Sequence, residues 1–355
     1  MHIPFRTRDR AYDDAFVVAG KQVNYEAFMD AMAHEVRRVA AYHADELPLR
    51  SVYAGGGRPS LVPLDAMLPL LKAVTRFETD SIREVTAELS PDDATASYVK
   101  GLVRMGFNRF VVSALSFDDG ELATIDAPHT SCDIQQSVTH IREAGVENIS
   151  LDVTFGWADS TLREWKRTLQ AVVDCDVPHV TLLEWPSYPA DKAQEMLRTK
   201  QYRYALHYLQ ENGFDPYEIS HFAQPGHRSQ HNENYWSHGS FLGIGPAAHS
   251  FWWYPENENP RRSVNVSDVE EYAGLLMRDE SPVSVRQAVD RHTLAEEYLM
   301  MRLRVIDGLD LDYYQRRYNV DLRAQHRRLL ERLESNDLIH PTTDDRIRLT
   351  DAGRL

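Results

Sequence analysis

An α/β fold, an open barrel of about six βα units carrying extra C-terminal structure, is what this sequence predicts. Three observations lead there. Short β-branched runs alternate with longer amphipathic stretches, the pattern of parallel strands joined by crossover helices. The count stops near six, short of the eight units of a closed barrel. At 355 residues the chain is long enough for such a domain and a smaller one beside it.

Taken in order, His2-Ile3-Pro4-Phe5 reads as the stub of a first strand, and a charged loop separates it from a helix over 25–44. The run from Ser51 to Ala54 is a second strand and ends in Gly55-Gly56-Gly57. Further strands are expected at 84–88, 109–115, 149–155 and 179–185, with helices between them, among them 131–144 and 161–173. After a helix ending near Asn212 the composition turns to Gly, Pro, Asn and aromatics, which places a boundary. The expected division is a barrel over 1–215, an accessory segment over 216–285 and a small domain over 286–355. That last piece, with helices at 291–305, 309–318 and 322–336 and a strand pair near 338–349, reads as a winged-helix-like tail.

Composition excludes several function classes. A formal charge of −15 and a pI near 5.4 argue against binding a phosphate backbone, so nucleic acid is not an expected partner. Scarce lysine and abundant aspartate suit a salty cytosol. No transmembrane run and no signal peptide is visible, and two cysteines, Cys132 and Cys175, make no disulfide framework. A cytoplasmic location is expected.

The stretch from His221 to Phe251 carries the candidate chemistry. It holds His221, His227, His231, His238 and His249, with Asn232, Asn234, Tyr235 and Trp236 among them. Imidazoles ligate transition metals and haem iron, and flat aromatic rings offer stacking area. A histidine there can equally pin a loop through a side chain or a carbonyl.

Six segments in fixed order carry a resemblance. They are His2-Ile3-Pro4-Phe5, Gly55-Gly56-Gly57-Arg58-Pro59-Ser60, Asn108-Arg109 with Ser116-Phe117-Asp118, the run from Asp152 to Gly156, Tyr217-Glu218-Ile219-Ser220, and His231-Asn232-Glu233-Asn234-Tyr235-Trp236. Together they resemble the family of oxygen-independent coproporphyrinogen III oxidase and the radical-SAM haem chaperone, and the part from Tyr217 to Phe251 looks more like the chaperone. The resemblance implies an open (β/α)6 partial TIM barrel of radical-SAM type with a C-terminal accessory region. It also implies S-adenosylmethionine and a [4Fe–4S] cluster held by a CxxxCxxC loop after the first strand.

Here that loop departs from the family. Its ligand positions are Arg6, Arg10 and Asp13, and guanidinium has no lone pair for a metal. One carboxylate does not replace three thiolates on an iron–sulfur cluster. Arg6, Asp9, Arg10, Asp13 and Asp14 sit at spacings suited to ion pairs on a helical turn, or alternatively Arg6 and Arg10 form an anion pocket. Elsewhere in the implied site Arg58 replaces threonine, Glu88-Leu89-Ser90-Pro91 keeps the acid but loses an amide, Leu115 replaces glutamine, and Trp157-Ala158-Asp159 replaces leucine-proline-glycine. Neither cofactor is therefore expected, although Gly55, Gly56 and Gly57 could still hold a small anion or nucleotide, with Glu88 the acid kept among the cofactor-binding residues.

The resemblance implies haem binding at the intact HNxxYW element, with His231 as the leading iron ligand, supported by Asn232, Tyr235 and Trp236. His221 is expected as a second ligand or an internal hydrogen-bond partner, and Arg228 and His227 as partners of the propionates. The expected function is a catalytically silent haem- or porphyrin-binding protein that passes its ligand to a haem-accepting protein. The alternatives are an S-adenosylmethionine-dependent oxidoreductase of porphyrin metabolism and a scaffold subunit that pairs with an active paralogue.

Overall fold

The computed structural model describes every residue except 7–17, 20–22, 44–47, 78–79, 158–159, 186–191, 255–259 and 343–344. Arg10 and Asp13 of the expected cluster loop, with Asp9 and Asp14, lie outside the described residues, as do Ala158 and Asp159. Six parallel strands are paired in chain order: His2–Ile3, Ser51–Gly56, Glu84–Leu89, Arg109–Leu115, Ile149–Phe155 and His179–Glu184. Two short antiparallel strands, His221–Ala223 and then Asp215–Pro216, extend the sheet past residue 215. The two ends of the sheet do not pair with each other among the described residues, so the barrel is open.

The crossover helices are set by local signals. Thr130 with Asp133 forms a capping box at Ser131–Glu143, and Thr161 with Glu164 forms another at Leu162–Asp174. Each box satisfies backbone donors that a helix start leaves unpaired. Along the strands, alternate residues point to opposite faces. Ala54, Ala87, Phe110, Val112, Leu151, Val153, Val180 and Leu182 point outward and are buried in the main core. The inward positions are polar: Glu84, Thr86, Arg109, Ser150, Thr154, His179 and Thr181 are all buried. The lumen thus carries a polar network, with Ser150 Oγ 2.7 Å from His179 Nδ1 and His179 Nε2 2.7 Å from Tyr217 Oη.

The accessory segment is more regular than its composition suggested. His249–Trp252, Arg261–Asn265 and Val283–Ala288 form an antiparallel sheet, and the helix Val269–Met277 connects its last two strands. These strands are short and interrupted by prolines and asparagines, which hides their alternation. Glu35, on the helix Tyr25–His43, ties the segment to the barrel. It accepts from Gly245 N–H at 2.8 Å, Asn265 Nδ2 at 2.7 Å and Tyr272 Oη at 2.5 Å.

The tail contains the helices Arg291–Arg304, Leu311–Tyr318 and Leu322–Ser335, with Leu309–Asp310 paired to Arg346–Ile347. His238 fastens it. Its ring is stacked on Phe251 at 4.7 Å, and its Nδ1 lies 3.1 Å from Tyr318 Oη.

Burial pushes the Glu35 carboxyl up to about 7 against the pull of its three donors, from an ordinary value of 4.5. A carboxyl raised on folding stabilises most below its unfolded pKa, and that contribution is lost as pH rises through the folded value. Unfolding free energies of the parent and Glu35→Gln should therefore diverge with pH, the parent losing ground between pH 5 and pH 8. A pH-independent difference would mean that Glu35 is ionised throughout.

Candidate functional site

The HNENYW element, expected within a loop, is the helix Gln230–Trp236. Ser229 starts it by accepting the Asn232 N–H at 3.3 Å, a standard N-cap. The helix start lands on Glu84, the first residue of its strand. Glu84 accepts from Gln230 N–H at 2.8 Å, His231 N–H at 3.2 Å and Ser229 Oγ at 3.2 Å. Unpaired N–H groups at a helix start attract an anion. Because Glu84 and its neighbour Ser51 both begin their strands, this short helix closes the amino-terminal mouth of the barrel.

His231 is held on every side. Its Nδ1 lies 2.9 Å from Ser51 Oγ and its Nε2 lies 3.1 Å from Tyr235 Oη. Its ring stacks on Tyr53 at 4.9 Å, with 19° between the planes. Burial pushes its pKa down to about 3, so the ring is neutral at physiological pH. The expectation of an iron ligand meets a histidine whose two nitrogens both have protein partners.

His221 is likewise enclosed. The Asn232 amide donates to its Nε2 at 3.1 Å, which leaves Nδ1 to donate to Glu218 Oε2 at 2.8 Å. Trp236 meets it edge-on at 5.0 Å. The structure thus unites His221, His231, Asn232, Tyr235 and Trp236, as the sequence reading required, but as one hydrogen-bonded plug. Arg228 sits beside it over the Tyr217 ring at 5.2 Å, with Glu233 at 3.7 Å and Asp307 at 4.0 Å.

An open cleft of about 630 Å³ adjoins this plug, a size typical of small-molecule sites. His43, Leu49, Arg50, His231, Leu242 and Trp252 are among its walls. Strand starts and helix ends meet at this face of a βα barrel. Arg50 and Leu49 therefore arrive just before the strand Ser51–Gly56, and His43 arrives as the last residue of its helix. Sequence reasoning passed over His43, Arg50, Ser51 and Glu84. Their common signal, polar or charged residues at the boundaries of the predicted elements, could have found them.

The other expected site residues lie at the opposite, carboxy-terminal mouth. Glu88 accepts from Tyr53 Oη at 2.5 Å and Gly56 N–H at 3.0 Å, and burial raises its pKa. Gly56, at φ +113°, faces the His2 ring, and a Cβ on Gly57 would meet the Phe5 carbonyl oxygen at 2.4 Å. The glycines accommodate the chain's own first strand where a ligand cradle was expected. Arg58 is bound by Asp92 at 2.8 Å and by Asp93. Leu115 ends its strand in the left-handed region at φ +62°, and Trp157 packs on Trp185 at 4.1 Å. At this mouth Arg58 is held in an internal ion pair and Trp157 adds apolar bulk.

A cuboidal cluster does not fit this chain, because three thiolate ligands cannot come from two cysteines. Cys132 is exposed near the start of the helix Ser131–Glu143, while Cys175 caps the end of Leu162–Asp174. Starts and ends of crossover helices lie at opposite mouths, so the two thiols do not converge. No group of three or more histidine, cysteine or acidic side chains suited to a metal occurs among the described residues. No helix among them is long and apolar enough to cross a membrane.

Comparison with known proteins agrees with this architecture. Residues 289–355 match the HemN C-terminal domain family. Over 369 residues the chain is 26% identical to a protein named heme chaperone HemW from Bacillus subtilis (strain 168), covering 100% of this chain and 95% of that one. A heme chaperone HemW from Synechocystis is 29% identical over 270 residues, or 71% of this chain and 65% of that protein. Among solved structures, coproporphyrinogen III oxidase (HemN) from Escherichia coli, described as a radical SAM enzyme, superposes with a TM-score of 0.84. That match has 18% identity and covers 100% of this chain and 86% of that one.

Two outcomes are expected at the plug. Glu84→Ala strands one buried and two part-buried donors, so urea unfolding should show a loss of about 2–4 kcal/mol, and a loss below about 1 kcal/mol would remove Glu84 from its anchoring role. His231, whose pKa is lowered on folding, withholds a proton that the unfolded chain takes up, so its contribution falls as pH drops from about 6.5 toward 3. The stability gap between the parent and His231→Gln should narrow by about 2 kcal/mol from pH 6.5 to 5.

Proposed function

Because the chain belongs to the HemN/HemW family of radical-SAM proteins, we propose that it binds haem or a related porphyrin as cargo in the cytosol. It hands that cargo to a haem-accepting protein and cleaves no S-adenosylmethionine. The observation that carries this reading is an asymmetry between the two mouths of the barrel. The amino-terminal mouth keeps the HNENYW helix and opens onto a cleft of about 630 Å³. At the carboxy-terminal mouth, Arg58 is committed to Asp92 and Asp93, and Trp157 to Trp185. Supporting the choice of cargo, the relatives similar over most of the chain are named haem chaperones.

Apolar burial supplies most of the affinity for a flat tetrapyrrole, and the aromatic and aliphatic walls of the cleft suit it. His231 belongs to the wall, since ligation by it requires release of Ser51 or Tyr235. With two cysteines in the chain, the reductive chemistry of the family has no cluster to start from.

Anaerobic reconstitution with iron and sulfide should leave no iron–sulfur absorption, and calorimetry with S-adenosylmethionine should give no saturable heat. Titration with ferric haem should give a saturable Soret change at micromolar haem. A stoichiometric cluster would restore the enzymatic reading. Failure of the haem titration would favour a scaffold role.

A further inference from the structure

We propose that a basic groove between the helices Tyr25–His43 and Leu64–Val74 docks an acidic segment of the protein that accepts this chain's cargo; this rests on the haem-carrying reading above. The groove has a volume of about 550 Å³. Arg37, Lys72 and Arg76 line it, over a floor that includes Leu68 and Ala73.

The first observation is charge out of place. In a chain of net charge −15, these three cations are exposed and make no ion pair among the described residues. Acids to pair with are not lacking on this face, since Arg38 is bound to Asp279 at 2.6 Å. Lys72 and Arg76 suit the negative end of their own helix. Arg37 lies roughly a turn and a half before the end of its helix and has no such reason to be there. Asp65 is the carboxylate among the lining residues, so three cations less one anion leave two positive charges in surplus.

The second is position. Phe77, the residue after Arg76, lines the cleft assigned to the cargo, and so does His43 at the end of the first helix. The groove therefore runs up to the rim of that cleft. A partner seated in it has its own surface at the opening through which a handed-over ligand passes.

The third is shape and chemistry, which select the occupant. A concave groove meets a polypeptide segment, whereas a bilayer is met by a protruding apolar face. Leu68 is only 38% exposed, too little to anchor in lipid. No aromatic side chain lines the groove, so a nucleobase has nothing to stack on. A planar guanidinium holds a carboxylate through two parallel hydrogen bonds, and the floor at Leu68 suits an aliphatic residue between two acids. The fit is to a segment of glutamate or aspartate interrupted by aliphatic residues. Complementary charge of this kind chiefly speeds encounter, which suits a contact made for transfer and then released.

The full-length chain titrated with a dye-labelled peptide of glutamates interrupted by leucines, read by fluorescence anisotropy, tests this. The parent should give saturable binding that weakens as salt is raised. Arg37→Glu combined with Arg76→Glu should weaken binding about tenfold or more, while the haem titration and the urea midpoint stay those of the parent. Arg163→Glu combined with Arg167→Glu makes the same charge change in a second groove, beside the helix Leu162–Asp174. That control should stay within about twofold of the parent. Absence of saturable peptide binding by the parent, or undiminished binding by the Arg37→Glu and Arg76→Glu variant, overturns the proposal. Equal losses in the two double variants reduce the effect to net charge and overturn it too. Phosphatidylserine vesicles or polyuridine bound through Arg37 and Arg76 in place of the peptide would reassign the groove and likewise overturn it. If the peptide results hold while the parent shows no saturable Soret change, the haem-carrying reading falls and the acidic docking site stands.

Discussion

One carboxylate, that of Glu84, holds the amino-terminal half of this molecule in register. It is buried at the start of its strand and accepts from two backbone N–H groups and the cap hydroxyl of the helix Gln230–Trp236. A buried charge is costly unless it is fully hydrogen-bonded, and a helix start supplies the donors. Everything else in the plug follows from that docking. It sets His231 between Ser51 and Tyr235, turns Asn232 toward His221, and leaves the cleft on the outer side. The long-range contacts from residue 84 to residues 229, 230 and 231 thus join the barrel to the accessory segment, beside those that Glu35 makes.

The barrel itself was legible. Strands at Arg109–Leu115 and Ile149–Phe155 fall where alternation and β-branching placed them, and the capping boxes at Thr130 and Thr161 are written in consecutive residues. The sheet His249–Trp252, Arg261–Asn265 and Val283–Ala288 was not legible. Its strands are four to six residues long and separated by turns whose composition dominates any reading window. The site was legible in membership but not in role. Motif order brought His221, His231, Asn232, Tyr235 and Trp236 together, yet a sequence cannot say whether an imidazole faces a cavity or a serine. Ser51 lies 180 positions from His231, beyond the reach of any local pattern.

The lumen explains why so many ionisable groups survive burial. Asp152, raised by burial, is eased by Thr181, the Arg109 guanidinium and Ser150. His179 is driven well below its ordinary pKa, chiefly by burial, and so stays a neutral relay between Ser150 and Tyr217. Such a network is stable only when nearly every member is satisfied. It therefore fixes the barrel's internal geometry more sharply than a wholly apolar core, which tolerates repacking.

The strand Ser51–Gly56 also measures something. Its six residues span about 17 Å from first to last, with the His231 contact at one end and the Glu88 contact at the other. Sites that far apart with no shared partner usually have additive energetics, and here Tyr53 is the side chain that touches both. A lineage could therefore rewrite the carboxy-terminal end without loosening the amino-terminal end only where it spares Tyr53. What persists in such a descendant is whichever end carries the anchor.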